Sequence, residues 1–283
     1  MRNAIAETGR ELLKLGLVAR TWGNISERTD EEHFAITPSG LDYRNLTGED
    51  MATVNVSTGA WTGRYKPSGE WAVHREAYRT FDDVNFVIHT HQTFATIASV
   101  LGLQTLHQAD DAGLAAYGLP GSDKLTGAVS REMRKGHRTI LMAHHGVLIC
   151  AGSREEALER ALGLEEVCRA NVKYTEVEEA VERVIAEGSD IYTVLDDVAQ
   201  MIGRKIPLTD RDIISGAAVH REKGILVKAA DEDDEEALRL LVEKACLCSA
   251  NGGRKRLSRR DVWLMHRNYV KNYSRLRNSA SVT

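Results

Sequence analysis

Apolar residues along this chain gather into short runs whose spacing switches between helical and strand periods, which predicts a layered fold. Residues 3–16 carry the helical spacing, and Gly16 stops the helix. β-like runs follow at FAIT (34–37) and MATVNV (51–56), set apart by Gly, Asn and Asp turns. Ser68 stands where it can cap a helix running through EWAVHREAYRTF. The run VNFVIH (84–89) reads as a buried strand, and a helix begins near His91. Residues 122–136 form a further helix closed by Gly136. TILMAHHGVLICAG (139–152) reads as two short strands hinged near His145 and Gly146. Ser153 and Glu156 make a capping box that opens a helix through about residue 175. Strands alternating with helices in this way predict an α/β domain over residues 1–186.

From 187 to 283 the character changes, and this stretch reads as a C-terminal α/β extension. An acidic run, DEDDEE (231–236), precedes a helix, and a basic tail spans Arg254 to Arg277. Each run reads as solvated surface, or as one half of a pair that attracts the other. HGVLICAG followed by SREEALERALGLEEVC (145–168) is echoed by KGILVKAA followed by DEDDEEALRLLVEKAC (223–246). The echo reads as a degenerate half-repeat with Lys223 at the place of His145, or as two similar amphipathic helices.

Composition narrows the class of function. A net charge of -4 gives no electrostatic basis for binding nucleic acid. No apolar run approaches the roughly 18 residues of a membrane span. The N-terminal stretch lacks the apolar core of a secretory signal, and Cys150, Cys168, Cys246 and Cys248 form no C-x-x-C pair. A cytoplasmic protein with reduced, buried thiols is the expectation.

Three histidines change the picture. His89 and His91 lie two apart at a strand end, so both rings can face one ion. A third imidazole can come from the AHHG turn at 143–146, and three nitrogens with an open position suit a catalytic Zn²⁺. Glu70, in KPSGEW, could act as general acid/base beside such a cation. The turns TWGNIS (21–26), TPSG (37–40) and KPSGE (66–70) offer backbone N–H groups and small hydroxyls of the kind that cradle phosphate.

TWGNIS, ITPSG, KPSGEW, IHTHQ and AHHGVL stand in the order and spacing of the class II aldolase/adducin family, so residues 4–180 resemble that family and its sugar-phosphate aldolases, the L-fuculose-phosphate enzymes among them. The resemblance implies a three-layer α/β/α subunit with a central, mainly antiparallel sheet. It implies a C4 homotetramer with active sites between subunits. It implies that His89, His91 and His145 hold Zn²⁺, or Mn²⁺ or Co²⁺ in its place, His145 being chosen over His144 because it directly precedes Gly146. Glu70 would be the acid/base. Thr21, Gly23, Asn24, Ser39, Gly40, Ser68 and Gly69 would hold the phosphate of a small sugar substrate. The implied reaction cleaves a ketose phosphate, through a Zn-stabilised enediolate, to dihydroxyacetone phosphate and an aldehyde. An epimerase or decarboxylase on the same scaffold is the alternative. A non-catalytic, adducin-like binding protein is a third reading, and the retention of all three histidines argues against it.

The chain departs from the family pattern in two places. Gly69 stands where these aldolases commonly carry a second serine. Their proton-donating tyrosine has no clear counterpart in LHQADDAGLAAYG, where Tyr117 is out of register; Tyr192, Tyr269 or Tyr273 of the extension could supply a donor. Asp110 and Asp111 match the region where related epimerases use an aspartate, and also suit the start of a helix.

Overall fold

A computed structural model describes residues 2–102, 112–189, 191–202, 217–220, 224–227, 232–253 and 255–280, with the backbone alone for 202, 217–220, 224–227, 232–234 and 270–280. Asp110, Asp111, Lys223, Arg254, the start of the acidic run and the side chain of Tyr273 lie outside what is described. The chain packs as two units, Met1–Ala170 and Asn171–Thr283.

In the first unit the elements run α1 (Arg2–Lys14), β1 (Asn24–Arg28), β2 (His33–Ile36), β3 (Ala52–Asn55), β4 (Trp61–Thr62), α2 (Trp71–Thr80), β5 (Phe86–Thr90), α3 (Thr93–Leu101), β6 (Ala112–Ala115), α4 (Asp123–Met133), β7 (Thr139–Met142), β8 (Gly146–Ala151) and α5 (Arg154–Ala170). The eight strands form one sheet in the order β4-β3-β2-β1-β5-β8-β7-β6. The β6–β7 pair is parallel and the other neighbours are antiparallel.

Strand alternation divides the buried residues between two faces. Ile25, Phe86, Ile88, Leu141, Val147 and Ile149 pack with Ile5 and Leu12 of α1, Ala95 of α3 and Ala161 of α5. The intervening positions, Val87, Ile140, Met142, Leu148 and Cys150, pack with Val73 and Ala77 of α2 and Val129 of α4. Helices therefore cover both faces of a mainly antiparallel sheet, and the expected three-layer α/β/α unit is the observed one.

Three local expectations need correction. TWGNIS is a turn only through Gly23; Asn24 already begins β1, hidden in the sequence because its polar side chains face a helix rather than water. Helix α2 is capped at Glu70, while Ser68 Oγ accepts the Glu70 N–H at 3.3 Å and shapes the turn before the helix. Helix α5 ends at Ala170, short of residue 175.

Two charged side chains fasten helix ends near the sheet centre. Arg28 donates to the carbonyls of Tyr78 and Val84, closing the end of α2 against β1. Glu165 of α5 accepts the N–H groups of Phe94 and Ala95 at 2.8 and 3.0 Å, satisfying orphan donors in the first turn of α3.

The second unit holds α6 (Val177–Glu187), α7 (Asp196–Ile202), the antiparallel strands β9 (Ala217–His220) and β10 (Gly224–Val227), α8 (Glu232–Ala250) and α9 (Arg259–Ala280). Lys244 and Asp197 form a buried ion pair at 2.5 Å that joins α8 to α7. β9 and β10 pair His220 with Gly224, as Met142 pairs with Gly146 in the first unit. In each unit a helix follows the second strand, starting at Arg154 after Gly146 and at Glu232 after Gly224.

Glu165→Ala is expected to lower the unfolding free energy by about 1–2 kcal/mol, the scale of a lost helix cap, as read by urea denaturation.

Candidate metal centre and its glutamate

Strand alternation aims the first histidine. Val87 of β5 faces α2, so His89, two residues on, faces the same way. His91 follows where the chain leaves the strand for α3. His145 is the last residue of the three-residue turn between β7 and β8, where Met142 pairs with Gly146. Gly146 permits that placement, because a Cβ there would lie 2.3 Å from the Thr90 carbonyl oxygen. His144 turns the chain with φ of 66°. Its N–H donates to Ser99 Oγ, and its ring lies edge-on to Tyr117 at 5.7 Å.

The three imidazoles converge through their Nε2 atoms. His91 Nε2 lies 2.9 Å, and His145 Nε2 3.1 Å, from His89 Nε2. His89 Nδ1 is bonded to the Val147 carbonyl at 2.9 Å, so Nδ1 carries the proton and Nε2 presents a lone pair. Tetrahedral Zn²⁺ with ligands at about 2.0–2.1 Å would place nitrogens about 3.3 Å apart, within a few tenths of an ångström of what is found. His89, His91 and His145, all buried, thus form a group able to hold a metal ion.

Glu70 completes the cluster from the start of α2. Its Oε2 lies 3.3 Å from His89 Nε2 and its Oε1 3.5 Å from His145 Nε2. Oε1 is buried and makes no hydrogen bond. Asn24 Nδ2 donates to Oε2 at 3.0 Å. Burial pushes the Glu70 carboxyl up, but His145, His89, the Asn24 hydrogen bond and His91 outweigh it and hold it at about 2. The group is a carboxylate aimed at the three nitrogens, and the donor set fits a divalent cation.

The two turns TPSG and KPSGE lie side by side. Pro38 and Pro67 form an isolated bridge, Ser39 donates its N–H to Lys66, and Ser68 donates its N–H to Thr37. Ser39, Gly40, Ser68 and Gly69 are thereby gathered next to Glu70. The N–H groups of both serines are spent on these carbonyls, leaving their hydroxyls as donors. A Cβ on Gly69 would meet nothing within 4 Å. Thr21 and Gly23 lie in the turn before β1, and a Cβ on Gly23 would sit 2.5 Å from the His89 carbonyl oxygen. Both ends of the Asn24 side chain are engaged inward, on Glu70 and on His74.

The sequence reading passed over the side chains behind Glu70: His74, Ser26 and Tyr78. A signal for them was present. Glu70, His74 and Tyr78 are spaced by four, and Asn24 and Ser26 by two, the repeats of one helix row and one strand face.

The sequence pattern of the class II aldolase and adducin N-terminal domain matches residues 3–172. A 5-methylthioribulose-1-phosphate/5-deoxyribulose-1-phosphate aldolase of Rhodospirillum rubrum is 31% identical over 175 residues, covering 59% of this chain and 78% of the relative. Among solved structures, an L-fuculose 1-phosphate aldolase is 28% identical with a TM-score of 0.55, covering 60% of this chain and 83% of the other. The L-fuculose-1-phosphate aldolase of Thermus thermophilus is 27% identical with a TM-score of 0.50, covering 59% and 90%.

Elemental analysis after metal loading separates the two adjacent histidines. His145→Ala is expected to lose the ion, whereas His144→Ala retains about one equivalent; the reverse result would assign the ligand to His144.

Proposed function

The chain belongs to the class II aldolase and adducin N-terminal domain family, and from that premise we propose that it is a metal-dependent aldolase that cleaves a small ketose 1-phosphate to dihydroxyacetone phosphate and an aldehyde. The observation that carries this reading is the convergence of three histidine Nε2 atoms with the largely buried Glu70 carboxylate, 3.3–3.5 Å from those of His89 and His145. A divalent cation, Zn²⁺ by the nitrogen donor set, would be held by His89, His91 and His145 and would supply Lewis-acid stabilisation of the enediolate left when the C–C bond breaks.

The protein's own groups do the rest. Glu70 carries the proton to and from the carbon that gains and loses it. The Asn24 N–H keeps one carboxylate oxygen fixed while the other stays available. The paired turns bind the phosphate through the Ser39 and Ser68 hydroxyls and the neighbouring glycines, Gly40 and Gly69, with Thr21 and Gly23 beside them. That binding lies away from the reacting bond and holds it in register. The names of the relatives support a 5-deoxy- or 5-thio-substituted pentulose 1-phosphate, or a 6-deoxyhexulose 1-phosphate, as the substrate class. A cytoplasmic homotetramer with sites completed by neighbouring subunits, and the extension from residue 187 as a separate appendage to the catalytic domain, belong to the same reading.

Incubation with 5-deoxyribulose 1-phosphate or L-fuculose 1-phosphate should release dihydroxyacetone phosphate, and a chelator should stop it. Cleavage that persists after complete metal removal would sink the mechanism. Glu70→Gln should lower kcat by about 10²- to 10⁴-fold with metal still bound. Gly69→Ser fits the open space at that turn and should lower KM for the phosphorylated substrate severalfold, with kcat little changed.

A further inference from the structure

Glu70 and the four side chains behind its carboxylate form two facing rows. Glu70, His74 and Tyr78 repeat every four residues from the cap of α2, and Asn24 and Ser26 every two residues along β1. Asn24, Ser26, His74 and Tyr78 are all buried. Tyr78 OH lies 2.8 Å from Ser26 Oγ, Ser26 Oγ 2.6 Å from His74 Nδ1, and His74 Nε2 2.5 Å from Asn24 Oδ1. Asn24 Nδ2 lies 3.0 Å from Glu70 Oε2.

Elementary donor and acceptor chemistry gives this run one direction. A carboxylate only accepts, so Asn24 must present its NH₂ to Glu70. The amide oxygen then faces His74 and only accepts, so the imidazole carries its proton on Nε2. A neutral imidazole protonated there accepts at Nδ1, so Ser26 donates to it, and Ser26 oxygen is left to accept from the Tyr78 hydroxyl. Reversing any one member would set two donors or two acceptors face to face in a buried site.

We propose that His74 is a positioning residue: as a neutral imidazole protonated on Nε2, it locks the Asn24 amide in the orientation that holds Glu70 Oε2, with Ser26 donating to its Nδ1 and Tyr78 donating to Ser26. Glu70 then keeps Oε1 turned toward the metal nitrogens, where a substrate proton would be handled. Burial holds His74 down at about 3, in keeping with a ring that stays neutral. The inference rests on the reading of Glu70 as the acid/base.

Two measurements on the full-length protein test it. Nitrogen-15 NMR of histidine-labelled, metal-free protein at neutral pH reads the tautomer directly. The expected result is a proton on His74 Nε2 and none on Nδ1; a proton on Nδ1, or on both nitrogens, overturns the proposal. The second is deuterium exchange into dihydroxyacetone phosphate by metal-loaded protein. His74→Phe keeps a ring and removes both nitrogens. Its saturated exchange rate should fall about 10- to 100-fold, with KM within about threefold and metal stoichiometry unchanged. His74→Gln, which restores an N–H donor toward Asn24, should recover most of the rate. Equal losses in the two variants, or a loss of stability with an intact rate in the folded fraction, would show a structural role only and overturn the proposal. A rate abolished in Glu70→Gln but kept in His74→Phe would overturn this inference alone. Equal exchange by wild type and Glu70→Gln would overturn the reading of Glu70 and this inference with it.

Discussion

The pairing of β5 with β8 is the constraint on which the site depends. His89 sits opposite Leu148 in that ladder, and its ring reaches one residue along to bond the Val147 carbonyl. One strand pair therefore fixes both the position and the tautomer of the first nitrogen. The same pairing brings Gly146 against Thr90, too close for any side chain. His145 precedes that glycine, so the approach of two backbones decides where the third nitrogen falls. Sheet registers are discrete, and a slip of one residue would turn His89 to the opposite face.

Around that pair the molecule solves an electrostatic problem. Three imidazoles and a carboxylate sit within a few ångströms of one another, almost wholly shielded from water. Burial alone would push the Glu70 proton back on. The Asn24 hydrogen bond and the neighbouring imidazoles oppose that, and a bound cation would oppose it further. The polar run through His74, Ser26 and Tyr78 supports the carboxylate without adding a second charge. A fully satisfied buried run of this kind is stiff, since each member has one orientation that pairs every donor with an acceptor. The helix ends are managed similarly: Glu165 covers the start of α3 and Arg28 the end of α2, so the segments that leave the site are anchored where they begin and end.

Much of this was legible in the sequence. The period of the apolar residues indicated strand or helix for β5, α3, α4, β7, β8 and α5, because each buries a face whose spacing reports its geometry. The two-residue spacing of His89 and His91 marked two of the histidines locally, whereas His145 was chosen over His144 by the family resemblance, in which the ligand directly precedes the glycine. Strand β1 was not legible as a strand from its start. Its polar residues Asn24 and Ser26 face a buried histidine and tyrosine, and a polar side chain carries no mark of whether it meets water or another side chain. β6 was missed as well, being four small or aliphatic residues with no alternation to read.

The sequence by itself determined the period of the elements with a clear apolar repeat, the face those strands would bury, and which residue types stood ready to hold a cation. These are short-range properties, set by backbone geometry and the cost of burying polar groups. Only the tertiary structure decided that Glu70 faces His89 and His145, that Asn24 serves the carboxylate, and that His74 stands behind both. Those partners are separated by between 4 and 75 residues along the chain, and strand order and helix packing, not local periodicity, bring them together. Direction in the hydrogen-bond run came last, because a histidine's proton can be assigned only when the groups on both of its nitrogens are known.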